Sequence, residues 1–416
     1  MTMLENKNLI GINGLGRIGK LSLWNHIFRR HYEGAVINVG REVGRSLEDL
    51  IQVMGTDSTY GALNRFLYGS TGVSKKFTIV DREQGIVDFD GFPIKILRSN
   101  RNPREIRWKE NGVRVVVDCT GVFNDPVAAA DDIKGSLRGH LEAGARKVIL
   151  SAPFKIKDKT AKMPADSYMM VYGINHLGYD PAAHHVLSAA SCTTTGLSHM
   201  IYPLLQTRET SRILTASMST VHAATNSQSV LDAVPKAAAT DLRKTRSVFN
   251  NIILSTTGAA KALESILPQI QEIGFMADSV RIPTNTVSLI ILNITFSSQL
   301  NDKGEPVINQ QFLNGIYQKA SLGPQKDLLI FSEQQNVSAD LMGFPASVVI
   351  EGHETHTRTG FINLPESLME SMGVKAEKDL HLPVTHAKIF GWYDNEYGSY
   401  VSSLGKLAVY VDQNLK

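Results

Sequence analysis

The chain has 416 residues, which exceeds the size of one ordinary hydrophobic core and predicts two domains. Its 43% hydrophobic and 20% charged residues describe a globular protein, and a formal net charge of +3 argues against a nucleic-acid partner. Two cysteines are too few for a disulfide framework and indicate reduced thiols in a cytoplasmic protein. Residues 1–8 are polar and predict no signal peptide, and no apolar run is long enough to span a membrane, so no membrane partner is expected.

Alternating strands and helices are predicted over the first part of the chain. An apolar strand at 9–12 leads into Gly14-Leu15-Gly16-Arg17-Ile18-Gly19, and apolar residues then recur at helical spacing as far as His31. Further strands are predicted at 35–37, 77–80, 94–97, 113–118 and 147–150, and a helix over 128–143. This alternation is typical of an α/β Rossmann domain, which we place at residues 1–191.

Residues 192–395 have a different pattern, with longer strands and fewer helical crossovers. Strands are predicted at 216–221 and 287–297, a turn at 302–304, and helices at 191–205, 261–267 and 312–321. This pattern predicts a separate α+β domain with a mostly antiparallel sheet. The amphipathic stretch 400–413 predicts a last helix, so residues 396–416 are expected to complete the first domain.

The glycine string after the first strand predicts a dinucleotide site. Gly14 permits a tight turn, Gly16 lets the backbone approach a pyrophosphate, and Gly19 permits close packing of the helix. The helix N-terminus then presents free N–H groups and a favourable dipole to the pyrophosphate. A turn with only a packing role is the alternative, but the flanking strand and helix favour a nucleotide.

The sequence leaves the choice between NAD and NADP open. An NAD site usually carries an acidic residue about 20 residues after the glycines, at the end of the second strand. That position reads Asn38-Val39-Gly40-Arg41, with Glu42 next and Arg45 beyond it. Loss of the acid and gain of arginine favour a 2′-phosphate, whereas Arg41 and Arg45 can equally be solvated loop charges.

Cys192 is the candidate nucleophile. It lies in Ser191-Cys192-Thr193-Thr194, at a predicted strand-to-helix junction. A helix N-terminus lowers the pKa of a thiol by stabilising the thiolate, which is the form that attacks an aldehyde. Cys119 ends an apolar strand and is predicted to be a buried, inert thiol.

A base and several anion holders are candidates in the second domain. His222 ends a predicted strand before a polar loop, where it can be a catalytic imidazole or a structural one. The other histidines, including the pair His353 and His356, are predicted to be surface or packing residues, and no metal is expected. Three segments can bind anions or have only structural roles: the basic run 241–246 with Lys244, the helix start Ser255-Thr256-Thr257-Gly258, and Arg281.

Five motifs in order resemble those of the glyceraldehyde-3-phosphate dehydrogenase family over nearly the whole chain. They are Gly11–Gly19, the cofactor segments Cys119-Thr120-Gly121-Val122-Phe123 and Ser151-Ala152-Pro153, the nucleophile segment Ala190–Thr194, then Ser255–Ala262 and Trp392-Tyr393-Asp394-Asn395-Glu396. The resemblance implies a dinucleotide domain closed by the C-terminal helix, a catalytic domain over 192–395, and a homotetramer.

The resemblance also implies the chemistry. Cys192 would form a thiohemiacetal with the aldehyde, and His222 would activate the thiol and assist hydride transfer. Inorganic phosphate would then attack the resulting thioester. The implied phosphate- and substrate-binding residues are Ser191, Thr193, Thr225, Lys244, Thr257, Gly258 and Arg281, and the implied cofactor-binding residues are Gly14, Gly16, Arg17, Ile18, Gly19, Arg41, Thr120, Gly121, Ser151 and Asn395.

Several positions depart from the family's pattern. A second arginine of the family is Lys244 here, and a lysine cannot hold an anion with a bidentate fork. An aspartate near the substrate phosphate is Ser227, and a second cysteine, four residues after the nucleophile, is Gly196. An asparagine before the nucleophile is Ala189, and a tyrosine near the nicotinamide is Ser399, with Tyr400 adjacent. Residues 131–138 and 234–240 also look longer than the family norm.

The predicted function is oxidation of D-glyceraldehyde 3-phosphate to 1,3-bisphosphoglycerate with NAD or NADP and inorganic phosphate, in glycolysis or gluconeogenesis. One alternative is the same chemistry on another phosphorylated aldehyde, such as erythrose 4-phosphate. A second is a binding or regulatory protein without catalysis, against which the retained Cys192 and His222 argue.

Overall fold

A computed structural model describes residues 3–70, 74–235, 237–375 and 377–415. The chain divides into two compact units. The first unit comprises Met1–Cys192, Met342–Pro345 and Glu396–Lys416, and the second comprises Thr193–Leu341 and Ala346–Asn395. Within the predicted longer segment 234–240, Lys236 lies outside the described residues.

The first unit is built on a large, mainly parallel sheet. Its strands, with one short ribbon, are β1 (Leu9–Asn13), β2 (Gly34–Asn38), β3 (Thr56–Asp57), β4 (Gly61–Ala62), β5 (Phe77–Asp81), β6 (Ile86–Phe89), β7 (Phe92–Leu97), β8 (Val113–Asp118), β9 (Lys147–Leu150), β10 (Ser167–Met169) and β11 (Val186–Ser188). In the described part of the chain the order is β10-β11-β9-β8-β1-β2-β7-β6-β5, with β5 and β6 antiparallel at one edge. The central strands β1 and β2 are buried along their whole length, as their continuous apolar runs predict.

Four helices of the first unit precede the nucleophile segment in the described ranges: α1 (Arg17–Arg29), α2 (Leu47–Gly55), α3 (Leu63–Tyr68) and α4 (Leu137–Glu142). Helix α1 starts directly after the glycine turn and ends at Arg30, which adopts a left-handed conformation. Leu21, Trp24 and Ile27 of α1 are buried in the same core as Ile10 and Ile12 of β1. The predicted βαβ unit is therefore confirmed.

The helix predicted over 128–143 was wrong for most of its length, because only α4 is helical there. Asp132 starts a turn in which its side chain accepts a hydrogen bond from the Lys134 N–H at 2.8 Å. Gly135 then has a φ of +82°, which a helix interior does not allow. The Ser136 hydroxyl caps the short helix by accepting from the Gly139 N–H at 3.1 Å. The turn and capping residues therefore determine the backbone conformation of this segment, although most of its residues favour a helix.

The second unit has a mixed, mostly antiparallel sheet with helices packed on it, as predicted. Its described helices are α5 (Cys192–Leu205, whose first residue belongs to the first unit), α6 (Ala259–Ile266), α7 (Gln310–Leu322) and α8 (Glu366–Ser371), and its strands are β12 (Ile213–Ala223), β13 (Ile253–Ser255), β14 (Gly274–Ile282), β15 (Ser288–Ser297), β16 (Leu329–Ser332), β17 (Val348–Glu351), β18 (His356–Leu364) and β19 (Leu380–Tyr393). The order is β13-β14-β12-β15-β19-β17-β16, with β18 also paired to β19. Of these pairs, β12 with β14 and β16 with β17 are parallel.

The last helix, α9 (Ser402–Gln413), follows a π-helical turn at Tyr397–Val401. Its buried residues Leu404, Leu407 and Val411 belong to the core of the first unit. The Tyr32 hydroxyl donates to the Ala408 carbonyl oxygen at 3.0 Å and fixes the helix against the end of α1. In the described part of the chain, no helix is both long and apolar enough to cross a membrane.

Candidate active site

The glycine turn of the first unit has the geometry of an anion cradle. Gly14 has a φ of +96°, and its N–H donates to the Asn38 carbonyl oxygen at 2.8 Å. A Cβ at Gly19 would overlap the Gly14 carbonyl oxygen, so only glycine lets α1 start so close to β1. A Cβ at Gly16 would meet no atom within 4 Å, and the residue is exposed. The turn therefore leaves open space at the N-terminus of α1, where a pyrophosphate fits.

A groove of about 710 Å³ opens at the carboxyl ends of β1, β2 and β8. Gly14 and Thr120 line it, together with three cationic side chains, Arg41, Arg101 and Lys134. Among the described residues, no carboxylate lines this groove. The first unit can thus hold a dinucleotide along these strand ends, with cations instead of an acid at the adenosine side.

The two loop arginines, Arg41 and Arg45, have different positions relative to the groove. Arg41 lines the groove, whereas Arg45 is 94% exposed in its side chain and lies 3.6 Å from the Asp49 carboxylate. Glu42 pairs with Arg98 at 3.1 Å and does not line the groove. Arg101 and Lys134 were not predicted as site residues, because only the fold brings their loops beside β2.

The loop after β8 is held by a buried polar network. Asp118 accepts from the Thr120 N–H at 3.1 Å and the Thr120 hydroxyl at 2.7 Å. Its other carboxylate oxygen lies 3.1 Å from His140 Nε2 and accepts from the Asn13 amide at 2.7 Å. Because Trp108 donates to His140 Nδ1 at 2.8 Å, the proton of a neutral His140 is on Nε2 and points to Asp118. These partners fix Thr120, and none of them was a sequence candidate.

Neighbouring backbone completes this edge of the groove. Gly121 has a φ of +67°, so the chain turns sharply after Thr120. The Ser151 N–H donates to the Asp118 carbonyl oxygen at 2.9 Å, which places the second cofactor segment beside the first. Cys119, which was predicted to be buried, is half-buried by its exposed surface, and desolvation raises the pKa of its thiol to about 12.

The guanidinium of Arg17, at the start of α1, lies between two carboxylates. It pairs with Asp57 and with Glu396, and its Nε donates to Glu396 at 3.0 Å. Lys20, one turn later, also pairs with Asp57, at 2.7 Å. Burial opposes the charge of Arg17, but the bonds to Glu396 and Asp57 raise its pKa overall. Arg17 is therefore held rigidly at the helix N-terminus, next to the half-buried Ile18.

Cys192 is the first residue of α5, one residue after the predicted start of this helix, and its partly exposed thiol is not part of a disulfide. Ser191 precedes it and is partly exposed as well. Thr193 and Thr194 follow inside the helix and are buried. The thiol thus lies at a helix N-terminus, where the dipole favours the thiolate.

His222 is the penultimate residue of β12 and is 4% exposed. Its Nδ1 lies 2.8 Å from the Ala223 carbonyl oxygen, which can only accept, so Nδ1 carries the proton and Nε2 is the acceptor. Burial and the nearby Arg281 guanidinium lower the pKa of His222 to about 3. The imidazole is therefore neutral, which is the state that a general base needs.

Tyr393 connects His222 to the beginning of α5 within the second unit. Its ring lies edge-on to the His222 ring, with centroids 5.9 Å apart. Its hydroxyl lies 2.9 Å from Thr193 Oγ1 and 2.7 Å from Thr220 Oγ1. Thr193 directly follows Cys192. Within the second unit, Tyr393 therefore contacts both the residue after the thiol and the imidazole of His222. Tyr393 was predicted only as part of the motif 392–396, without a role of its own.

Two anion-holding candidates lie at the same end of the sheet as His222. Arg281 of β14 is the register partner of His222, and its Nη1 donates to the Ala223 carbonyl oxygen at 3.3 Å. It lies on an interior strand, since β14 is paired on both sides. Thr225 follows β12, with its hydroxyl 2.9 Å from that of Ser227. Both candidates can therefore meet one anion beside the imidazole.

Asn395 is also tied to this strand end. Its Oδ1 accepts from the Ser288 hydroxyl at 2.9 Å, and the same hydroxyl accepts from the Ala223 N–H at 3.1 Å. The amide is buried and its oxygen is engaged. Its orientation is thus set by Ser288 of β15, which also bonds to β12, the strand that carries His222.

Other candidates lie on the surface of the second unit. The Thr257 hydroxyl accepts from the Ala259 N–H at 3.2 Å, and Gly258 is exposed at the start of α6. Lys244 is exposed and forms no ion pair with any described residue, whereas its neighbours pair locally, Arg243 with Asp241 and Arg246 with Asp232. His353 and His356 are exposed, and no described cluster of three or more His, Cys, Asp or Glu side chains is arranged to hold a metal.

Two family profiles match the chain. Residues 8–126 match the NAD binding domain of glyceraldehyde 3-phosphate dehydrogenase, and residues 191–395 match its C-terminal domain. The chain belongs to the glyceraldehyde-3-phosphate dehydrogenase family. It is therefore an oxidoreductase of this family that uses NAD or NADP, and the open cradle at Gly16 fits such a cofactor.

Relatives match over nearly the full length. The glyceraldehyde-3-phosphate dehydrogenase of Streptomyces coelicolor is 32% identical over 408 residues, covering 98% of this chain and 99% of the relative. That of Geobacillus stearothermophilus is 32% identical over 406 residues, covering 97% of each. The cytosolic glyceraldehyde-3-phosphate dehydrogenase of Chlamydomonas reinhardtii is 30% identical over 412 residues, covering 98% of each. The resemblance of the five motifs is thereby confirmed.

Proposed function

We propose that the protein oxidises D-glyceraldehyde 3-phosphate to 1,3-bisphosphoglycerate through a thioester on Cys192, with His222 as the base. The observation that supports this most is the state of His222, a buried neutral imidazole with its Nδ1 proton fixed on a backbone oxygen. An imidazole in this tautomer can accept a proton at Nε2. Tyr393 contacts both Thr193, the residue after Cys192, and the imidazole ring of His222.

In the first half of the reaction, the Cys192 sulfur attacks the aldehyde carbon, and the proton of the thiol passes to the carbonyl oxygen, which becomes the hydroxyl of a thiohemiacetal. His222 Nε2 accepts the proton of that hydroxyl as the C–H bond breaks, so the carbonyl of a thioester forms. The bound nicotinamide supplies the hydride acceptor. Arg281 and Thr225, with Lys244, bind the phosphate of the substrate and place its aldehyde at the thiol.

In the second half, a phosphate oxygen attacks the thioester carbon, and the Cys192 thiolate leaves. Ser191 and Thr193 at the start of α5, with Thr257 and Gly258 at the start of α6, are proposed to hold this phosphate, since helix N-termini favour anions. The acyl phosphate then departs, the proton of the attacking phosphate passes to water, and the proton held by His222 returns to the Cys192 sulfur, so the enzyme is unchanged.

The cofactor is proposed to lie along the strand ends of the first unit. Its proposed contacts there are Gly14, Gly16, Arg17, Ile18, Gly19, Thr120, Gly121 and Ser151. Asn395 is proposed to orient the carboxamide of the nicotinamide, because its side chain is held by Ser288.

We propose that the cofactor site accepts NADP, because Arg41, Arg101 and Lys134 line the groove where an acid would repel a 2′-phosphate. Arg41→Ala should lower kcat/KM for NADP at least about tenfold more than kcat/KM for NAD, because a charge-assisted bond to phosphate is lost. Arg45→Ala is the matched control, because Arg45 is solvated and outside the groove. A strong preference of the unmodified enzyme for NAD would contradict the proposal.

The function itself is tested by following absorbance at the nicotinamide band with glyceraldehyde 3-phosphate, with and without inorganic phosphate. Cys192→Ser should abolish oxidation while cofactor binding persists, because the thiohemiacetal can no longer form. Substantial residual oxidation by this variant would exclude covalent catalysis at Cys192. Faster turnover of erythrose 4-phosphate at equal concentration would reassign the substrate, and no turnover of either aldehyde would favour a binding protein.

Assembly and location are further proposals. The family relationship supports a homotetramer, which sedimentation analysis would measure directly. A role in glycolysis or gluconeogenesis and a cytoplasmic location follow from the proposed substrate.

A further inference from the structure

Ala190, two residues before Cys192, has a left-handed backbone conformation with a φ of +54°. A residue with a Cβ is uncommon in this region, because its Cβ crowds the following carbonyl oxygen. The conformation persists only where neighbouring groups hold it. Because α5 begins at Cys192, this turn sets the direction in which the helix and its thiol start.

Both backbone polar groups of Ala190 are held by side-chain hydroxyls. The Ala190 N–H donates to the Ser188 Oγ at 3.1 Å, and the Ser188 hydroxyl itself donates to the Ala152 carbonyl oxygen at 2.7 Å. The Tyr400 hydroxyl donates to the Ala190 carbonyl oxygen at 3.0 Å. Ser188 and Tyr400 thus hold the strained peptide from its two sides, and all of these residues belong to the first unit.

Tyr400 is placed for this contact by an unusual backbone. It lies in the π-helical turn 397–401, which precedes α9, and its side chain is almost completely buried. Single π-turns occur often at functional sites. Burial raises the pKa of Tyr400, so its hydroxyl stays a donor.

The sequence around this contact differs from the pattern of the family. The tyrosine expected at position 399 is a serine here, and the tyrosine stands one position later. The asparagine expected at position 189 is an alanine.

We propose that Tyr400 is a positioning residue for the Cys192 thiol. Its bond to the Ala190 carbonyl oxygen holds the left-handed turn and thereby aims the thiol from the start of α5. Tyr400 acts through the backbone and touches neither substrate nor reacting atoms. The inference rests on the proposed function, in which Cys192 is the nucleophile.

Tyr400→Phe removes only the hydroxyl, and two other tyrosines provide matched controls. Tyr317 and Tyr32 are equally buried, and each donates one hydrogen bond to a backbone carbonyl, that of Met200 at 2.9 Å and that of Ala408 at 3.0 Å. Tyr317→Phe and Tyr32→Phe therefore report what the loss of a buried tyrosine bond does to stability alone.

The main readout is the rate at which iodoacetamide alkylates Cys192, followed by peptide mass spectrometry across a range of pH. This reaction needs no aldehyde, so its outcome is independent of whether the proposed substrate is right. Tyr400→Phe should slow alkylation at least about fivefold or shift its pH profile, and lower kcat about tenfold with KM for the cofactor little changed. The two control variants should keep the alkylation profile and kcat of the unmodified enzyme.

Equal alkylation profiles in Tyr400→Phe and the controls would overturn the inference. If Tyr400→Phe does not fold, 3-fluorotyrosine at position 400 keeps the ring and hydroxyl but makes the hydroxyl a stronger donor. It should then change the alkylation profile of Cys192 relative to the same replacement at Tyr317, and no difference between the two would also overturn the inference. If alkylation follows the expectation while Cys192→Ser still oxidises aldehyde, only the proposed function fails.

Discussion

Two buried histidines show how burial sets the charge of a single residue. The pKa values of His222 and His26 are both lowered to about 3, mainly by burial and further by Arg281 and Arg29 respectively. An unfolded histidine titrates near 6.5. Between these two values the unfolded chain binds more protons than the folded one, so stability falls as the pH falls from about 6.5 towards 3. The acid side of the stability profile is therefore set partly by two imidazoles that stay neutral.

His26 allows this to be tested away from the proposed active site. His26→Gln removes one such imidazole, so the loss of unfolding free energy between pH 7 and about pH 4.5 should shrink by about 2 kcal/mol. Urea denaturation at the two pH values measures it. His353→Gln is the control, because His353 is exposed and should leave the difference unchanged. Equal losses in all three proteins would show that the burial of His26 does not control acid stability.

At the scale of elements, the β1–α1 turn assigns different tasks to its glycines. Gly19 has no room for a Cβ because the Gly14 carbonyl lies against it, whereas Gly16 faces open space. Gly19 therefore determines how α1 packs, and Gly16 determines what can approach the helix from outside.

Paired substitutions separate the two tasks. Gly19→Ala should lower the free energy of unfolding by about 2 kcal/mol or more, because the helix must move away from the turn. Gly16→Ala should change stability by less than about 0.5 kcal/mol but weaken cofactor binding about tenfold, because its Cβ occupies the space of the pyrophosphate. Thermal unfolding and cofactor titration measure both. If Gly16→Ala binds cofactor normally, the pyrophosphate does not lie on this turn.

At the scale of the molecule, the C-terminal helix ties distant parts of the first unit together. The buried Asp412 of α9 accepts from the Asn8 amide at 2.7 Å, and it pairs with His31 at 2.9 Å and Arg114 at 3.0 Å. One carboxylate thus joins the N-terminal segment, the end of α1 and β8. Apolar residues of α9 close the core beneath it.

Asp412→Asn should lower the free energy of unfolding by roughly 1–3 kcal/mol, because a buried carboxylate with three partners is lost. The loss stays within this range because His31 and Arg114 are partly exposed and can be solvated. Gln413→Ala, at an exposed position of the same helix, should cost less than about 0.5 kcal/mol. Chemical denaturation of both variants gives the comparison. Similar stabilities for the two would mean that α9 is held by apolar packing alone.

Local chemistry explains what the sequence by itself determined. Glycine conformations, the period of apolar residues and the start of a helix at Cys192 depend on near neighbours, so the βαβ unit, the fold class and the candidate thiol could be read directly. The same local reasoning was wrong for residues 128–136, where turn chemistry won over helix propensity. The position of His222 at a strand end was predictable, but its neutral state was not, because that depends on burial and on Arg281.

Only the tertiary structure decided which distant residues meet. Arg101 and Lys134 join Arg41 in one groove because strand order places their loops beside β2. Tyr393 reaches Thr193 across 200 positions, and Tyr400 reaches Ala190 across 210, because sheet register and the π-helical turn fix where those side chains point. Such contacts leave no spacing in the sequence, since loop lengths between the partners are free to vary while the packed core determines their distance.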